Sequence, residues 1–146
     1  MERKLTAIMF TDIVGYSKIM STNEKIGLEL LDSQSELVLP IIKNFNGKIL
    51  KKMGDAFFVD FSSSINAIEC SVEIQKALKD YNYAKDSGKK LLLRIGLHIG
   101  DVFIKEGDLF GEGINVAARL EPLAEPGGIC MSQAFYDSVK VKSDFS

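Results

Sequence analysis

Apolar residues change their spacing several times along this chain, and each change marks an element. Lys4–Phe10 (KLTAIMF) is a short apolar-rich run of strand type. From Glu24 onward, Leu30, Leu37 and Ile41 recur at spacings of seven and four, the period of a helix buried along one face. Pro40 falls late in that helix and is expected to kink it. Asn46–Gly47 ends it or starts a turn. Lys48–Met53 and Ala56–Phe61 are short strands separated by Gly54–Asp55, a hairpin signal. Ser62–Ser64 offers an N-cap to a second helix, expected to run to about Tyr81, in which Ile65, Ile68 and Val72 keep helical spacing. Asn82–Lys90 is polar and reads as a loop. Leu91–Ile99 is strand-like, and Gly100–Asp101 is expected to turn the chain into Val102–Lys105. Glu106–Glu112 reads as a charged, Gly-bearing loop and Asn115–Ala124 as a third helix, broken by Pro126–Gly128. Ile129–Met131 is a last short strand, and Ser132 caps a final helix through about Val139.

The resulting order, β-α-β-β-α-β-β-α-β-α, contains the ferredoxin-like βαββαβ arrangement. The expected fold class is α+β: an antiparallel sheet with helices packed on one face, extended by a C-terminal strand and helix. No internal repeat, low-complexity tract or composition shift divides the chain, so one domain over residues 1–146 is expected.

Composition narrows the function without choosing it. With 146 residues, 46% of them hydrophobic and 26% charged, the chain reads as a globular domain with a real core. A net charge of −2 gives no basic footprint for nucleic acid or an anionic membrane surface. No apolar run approaches the ~20 residues that span a bilayer, and the N-terminus lacks the pattern of a signal peptide. Cys70 and Cys130 stand far apart outside any CxxC pattern, which favours free thiols and a cytoplasmic setting. His98, the one histidine, excludes sites that need several and reads as a packed strand residue.

Two stretches carry candidate chemistry. FTDIVGYS (Phe10–Ser17) and KKMGDAFF (Lys51–Phe58) each set one acid, Asp12 or Asp55, at the edge of an apolar strand. If these strands are neighbours, both carboxylates emerge at one end of the sheet. A divalent cation would relieve their repulsion, and such a site suits phosphoryl chemistry on a nucleotide. Gly15 would free the following backbone to turn N–H groups toward phosphate oxygens. An Asp at a strand end or hairpin tip is equally an ordinary turn residue, and the pair alone leaves both readings open. DLFGEGINVAARL (Asp108–Leu120) adds Asn115 and Arg119 at i, i+4, on one helix face. Read singly, Lys51 belongs to a solvated cluster with Lys48 and Lys52, Asp108 to a loop, and Arg119 to a helix surface.

Taken in order, FTDIVGYS, NGKILKKMGDAFFVDF, LRIGLHIGDV and DLFGEGINVAARLEPLAEPGGICMS resemble the class III nucleotide cyclase catalytic domain, the adenylate and guanylate cyclase homology domain, over roughly Leu5–Val139. The resemblance is to the bacterial branch in which NVAARLE is followed by LAEPGGI. It implies that Asp12, Asp55 and the Ile13 carbonyl hold two Mg²⁺ or Mn²⁺ ions per active site, and that Ile13, Val14, Gly15 and Tyr16 wrap the triphosphate. It further implies that Lys51 and Asp108 read the purine, Asn115 orients the ribose and Arg119 stabilises the pentavalent transition state. Adenine offers an acceptor at N1 and a donor at N6, which suit a Lys and an Asp; guanine offers the reverse. Guanylate cyclases of this type typically carry Glu and Cys at the two positions, so Lys51 and Asp108 favour ATP. The implied reaction is ATP to 3′,5′-cyclic AMP and pyrophosphate.

The resemblance also implies a homodimer with shared active sites, one protomer supplying the metal aspartates and the other Lys51, Asp108, Asn115 and Arg119. It implies regulatory or sensor domains in a longer protein. Relatives usually continue for a few more strands, so the chain, ending in KVKSDFS, is expected to lack the last C-terminal strands. The alternatives are a catalytically silent nucleotide-binding or regulatory domain and a guanylate cyclase. A diguanylate cyclase is disfavoured because KMGDAFF lacks the second acid of a GGDEF-like hairpin.

Overall fold

The computed structural model describes residues 2–106 and 108–140. The domain limits expected at residues 1 and 146, and the expected C-terminal truncation, lie outside these residues. In chain order the elements are β1 (Glu2–Ile13), α1 (Tyr16–Thr22), α2 (Glu24–Asn44), β2 (Lys48–Met53), β3 (Ala56–Phe61), α3 (Ser64–Asn82), β4 (Leu93–Lys105), β5 (Asp108–Phe110), α4 (Glu112–Leu120), β6 (Ile129–Met131) and α5 (Gln133–Lys140).

Among the described residues, six strands form one sheet in the order β2-β3-β1-β4-β5, with β6 also pairing β4. Every pairing is antiparallel except β4–β6. The central β2-β3-β1-β4 order is that of the expected ferredoxin-like core, in an α+β fold.

Alternation along the strands divides the core between two faces. Ala7 and Met9 of β1, Phe57, Val59 and Phe61 of β3, and Leu93, Ile95 and Leu97 of β4 point to one side. There they meet Leu30, Val38 and Ile42 of α2, Ile68, Ile74 and Leu78 of α3, and Phe135 and Val139 of α5. Phe57, Phe61 and Phe135 are at most 1% exposed; each such ring contributes roughly 2–3 kcal/mol by burial. Ile8, Phe10, Phe58 and Val102 point to the other side and meet Ala117 and Ile114 of α4. The two crossover helices thus share one face as expected, while α4 covers part of the opposite face.

Local signals explain most boundaries. The Asn23 side chain accepts from Ile26 N–H at the start of α2, and the Ser63 side chain accepts from Asn66 N–H at the start of α3. Asn46 takes a left-handed backbone (φ 61°) and Gly47 N–H bonds the Ile42 carbonyl, closing α2. Pro40 lies inside α2 without ending it.

Four expectations are corrected. Gly100–Asp101 is no turn: β4 runs unbroken, with Gly100 opposite Thr6 and Asp101 opposite Leu5. The glycines of β4 serve the approach of α4 instead. A Cβ on Gly100 would lie 3.3 Å from Gly113 Cα, and one on Gly96 would lie 2.7 Å from the Ala117 carbonyl oxygen and 2.8 Å from Glu121 N. The stretch Glu106–Glu112 is not all loop, because Asp108–Phe110 pairs with β4 as β5. The third helix starts at Glu112 and gives way at Glu121 to a 3₁₀ turn, Glu121–Leu123. Finally, a short helix that was not expected, α1, follows β1 after two residues; Tyr16 and Ile19 pack only partly buried against the core, a single helical turn too short to read as a period.

Because backbone atoms of the α4 segment crowd Gly96, Gly96→Ala is expected to destabilise the domain by roughly 1–3 kcal/mol, read as a lower urea midpoint; an unchanged midpoint would show that α4 can lift off β4 freely.

Candidate active site

Asp12 is in the strand, not in the turn after it. It pairs in register with Arg94 of β4 and is half-buried. Antiparallel pairing of β1 with β3 and of β2 with β3 brings the Gly54–Asp55 hairpin tip to the same end of the sheet. There Asp55 Oδ2 accepts from Ile13 N–H at 2.7 Å. Gln34 of α2, 1% exposed, donates to the Asp55 carbonyl at 3.2 Å and so holds the tip from the helix side.

The two carboxylates feel one another. Burial raises the Asp12 pKa first, and the charge of Asp55 adds to the rise; Glu121 and Arg94 act against it. Tyr16, just beyond the turn, is raised by burial and by Asp55. Within the turn itself Ile13 and Val14 already spend their N–H groups, on Asp55 and on the Leu92 carbonyl. Gly15 caps α1 with no side-chain bond, so any backbone donation to a phosphate falls to Gly15 and the first turn of α1.

All these side-chain donors are oxygens, the set that Mg²⁺ and Mn²⁺ take. Among the described residues no three acidic, histidine or cysteine side chains converge as a metal-holding group. Two carboxylates that repel across a half-buried gap nevertheless fit a divalent ion whose remaining ligands come from water and substrate phosphate.

Lys51 reaches the opposite face through a break in strand alternation. Lys48 pairs Asp60 and Ile49 pairs Val59, but Lys51 pairs Phe58, leaving Leu50 as an extra residue. The bulge puts both Leu50 and Lys51 on the Phe58 side; Leu50 packs there against the cluster that contains Phe58. Lys51 Nζ then meets Asp108 Oδ1 at 3.3 Å, although β2 and β5 lie at opposite ends of the sheet order.

On α4, Gly113 and Ala117 are buried against the sheet, while Asn115 and Arg119 lie on the exposed ridge. Arg119 pairs with Glu112 at 3.0 Å, both largely exposed. Among the described residues no hydrogen bond or ion pair joins Asn115 or Arg119 to Asp12 or Asp55. The fold therefore brings together Asp12 with Asp55, Lys51 with Asp108, and Asn115 with Arg119, as three separate groups.

The description "Adenylate and Guanylate cyclase catalytic domain" is that of the family model matching residues 2–146. The chain belongs to this family. It is 38% identical over 143 residues to a Rhizobium meliloti protein named "Putative adenylate cyclase 3", covering 97% of this chain and 24% of that one. It is 28% identical over 158 residues to a receptor-type guanylate cyclase of Caenorhabditis elegans, covering 97% of this chain and 15% of that one. A crystal structure from Silicibacter pomeroyi, titled adenylate/guanylate cyclase/hydrolase, superposes with a TM-score of 0.89 at 36% identity, covering 99% of this chain and 85% of that one. The chain spans about a quarter or less of the length of these curated relatives.

Sequence reasoning passed over three residues of this cyclase domain. Gln34 looks like any polar helix residue and Arg94 like any strand cation; Arg94 Nε in fact donates to the Ala124 carbonyl at 2.9 Å. Glu121, next after α4, is 4% exposed and lies within hydrogen-bond reach of Asp12. Only its place in the NVAARLE motif could have singled it out. His98, by contrast, is the packed strand residue expected: its Nδ1 meets Ser132 Oγ at 2.7 Å, and burial lowers its pKa.

Burial, then the hydrogen bond and charge of Asp12, push the Glu121 carboxyl up to about 8. A carboxyl with its folded pKa above its ordinary value near 4.5 holds its proton more tightly when folded. Its contribution is complete below that value and is lost as the pH climbs toward about 8. In chelator, the thermal midpoint of the parent chain is expected to fall across this interval, and Glu121→Gln to flatten the fall. Melts followed by circular dichroism check this, and an equally steep fall in the variant would assign it elsewhere.

Proposed function

We propose that this chain is the catalytic domain of an adenylate cyclase, converting ATP to 3′,5′-cyclic AMP and pyrophosphate at sites shared between two copies. The observation that carries the substrate is the Lys51–Asp108 ion pair at 3.3 Å. The two groups are 42% and 56% exposed, so the pair itself is weakly held. Adenine can take both partners, its N1 accepting from Lys51 and its N6 amino group donating to Asp108. Guanine meets a donor with its own N1–H and an acceptor with O6.

Asp12, Asp55 and the Ile13 carbonyl are the residues that would hold Mg²⁺ or Mn²⁺, two ions per site. Bound there, the ions would make the ribose 3′-hydroxyl more acidic and offset charge on the triphosphate. In the reaction a bond forms from the 3′-oxygen to the α-phosphorus, the bond to the β-phosphate oxygen breaks, and the 3′-proton leaves to solvent. Gly15 and Tyr16 offer backbone N–H groups to the triphosphate. Asn115 orients the ribose. Arg119, released from an exposed ion pair of little strength, offers its planar guanidinium to the charge that develops on the phosphoryl group.

Separation of the groups within one protomer supports the shared site. Asn115 and Arg119 sit on the exposed ridge of α4, while Gly113 and Ala117 of the same helix face the sheet. A two-fold partner would bring its own Asp12–Asp55 end to that ridge. Flanking regulatory domains agree with the small share of the relatives' length that this chain spans.

Product formation from ATP or GTP with Mg²⁺ or Mn²⁺ tests the reading. Cyclic AMP is expected in excess over cyclic GMP, with Asp55→Ala inactive and Arg119→Ala slower by at least ~100-fold; equal turnover of both nucleotides would sink the assignment to Lys51 and Asp108. Mixing inactive Asp12→Ala and Arg119→Ala chains in equal amounts should restore roughly a quarter of the parent activity, because half the dimers carry one intact site of two. No recovery at any ratio would count against shared sites.

A further inference from the structure

The segment after α4 is anchored to the strand ends that carry the acidic pair. Its backbone rests on Gly96, with Glu121 N 2.8 Å from where a Cβ would stand. Arg94 Nε holds the Ala124 carbonyl at 2.9 Å. Between these two anchors Glu121, 4% exposed, meets Asp12. Strand register sets Arg94 beside Asp12, and the charge of Arg94 acts on both acids. A carboxyl buried this far needs fixed partners, and no step of the proposed reaction employs it.

We propose that Glu121 is a positioning residue for the metal site: anchored by the α4 segment, it orients the Asp12 carboxylate toward the gap shared with Asp55. The α4 segment thereby links the Asn115–Arg119 ridge, which serves the partner's site, to the acidic pair of its own protomer. This rests on the reading of Asp12 and Asp55 as metal ligands.

The test is Mn²⁺ binding to the purified chain at one fixed pH, followed by the electron paramagnetic resonance of free Mn²⁺. Circular dichroism melts establish that each variant is folded. The parent is expected to bind and Asp55→Ala to fail. Glu121→Gln, whose amide still donates to Asp12, should stay within about threefold of the parent. Glu121→Met fills the space without a hydrogen bond and should lose ~10–100-fold in affinity; if it does not fold, Glu121→Ala takes its place. A folded Met or Ala variant that binds like the parent overturns the proposal. So does a Gln variant that loses as much as Met, since the carboxylate itself would then contact the ion. A parent chain that binds no Mn²⁺ overturns the metal reading itself, and this inference with it.

Discussion

Continuous pairing between β1 and β4, from Glu2 opposite Ile104 to Ile13 opposite Leu93, is the interaction on which the rest of this domain depends. It makes a central spine on which every other layer is hung. At one end it sets Asp12 against Arg94. Along its length it offers one face to α2, α3 and α5 and the other to α4. Because β4 stays extended through Gly96 and Gly100, it leaves two positions without side chains on which the α4 segment can sit at backbone distance. The close seat of α4 and the location of the acidic pair are thus consequences of one strand pair.

The opposite faces are specialised for different reasons. On the helix side the sheet is covered by large apolar side chains at near-zero exposure, and stability is concentrated there. The other side carries a smaller apolar cluster with Asp60 buried beneath Lys4 and Thr6, which satisfy it by hydrogen bonds. This face also bears the exposed Lys51–Asp108 pair and the α4 ridge. Its polar groups do not reach the acidic pair of the same chain, which is what the proposed two-copy site requires.

Much of the fold was legible because local signals and tertiary demands agree. The β2–β3 hairpin has its expected limits, Lys48–Met53 and Ala56–Phe61, since both the two-residue tip and the apolar run of β3 point to it. Ser63 caps α3 through its own side chain, a bond formed within three residues. The failures are equally local in origin. Gly100 and Asp101 look like turn residues, but their conformation is decided by β1 on one side and α4 on the other. Glu106–Glu112 contains charges and glycines typical of a loop, yet three of its residues pair with β4. The seven-residue α1 helix offers only one turn of apolar spacing, Tyr16 to Ile19, too little for periodicity to announce it.

For the candidate site the division is sharper. By itself the sequence determined which acids end apolar strands, that Asn115 and Arg119 share a helix face, and, through the order of its motifs, the family. These follow from spacing, which helix and strand geometry convert directly into faces. Only the tertiary structure decided that Lys51 crosses to the Asp108 side, because a one-residue bulge reverses alternation and leaves no mark in composition. Only it decided that Gln34 braces the Asp55 turn, that Arg94 stands beside Asp12, and that Glu121 is buried against that same acid. Each of those contacts joins residues far apart in the chain. Their meeting depends on the register of β1 with β4 and the seat of α4, quantities that no local pattern contains.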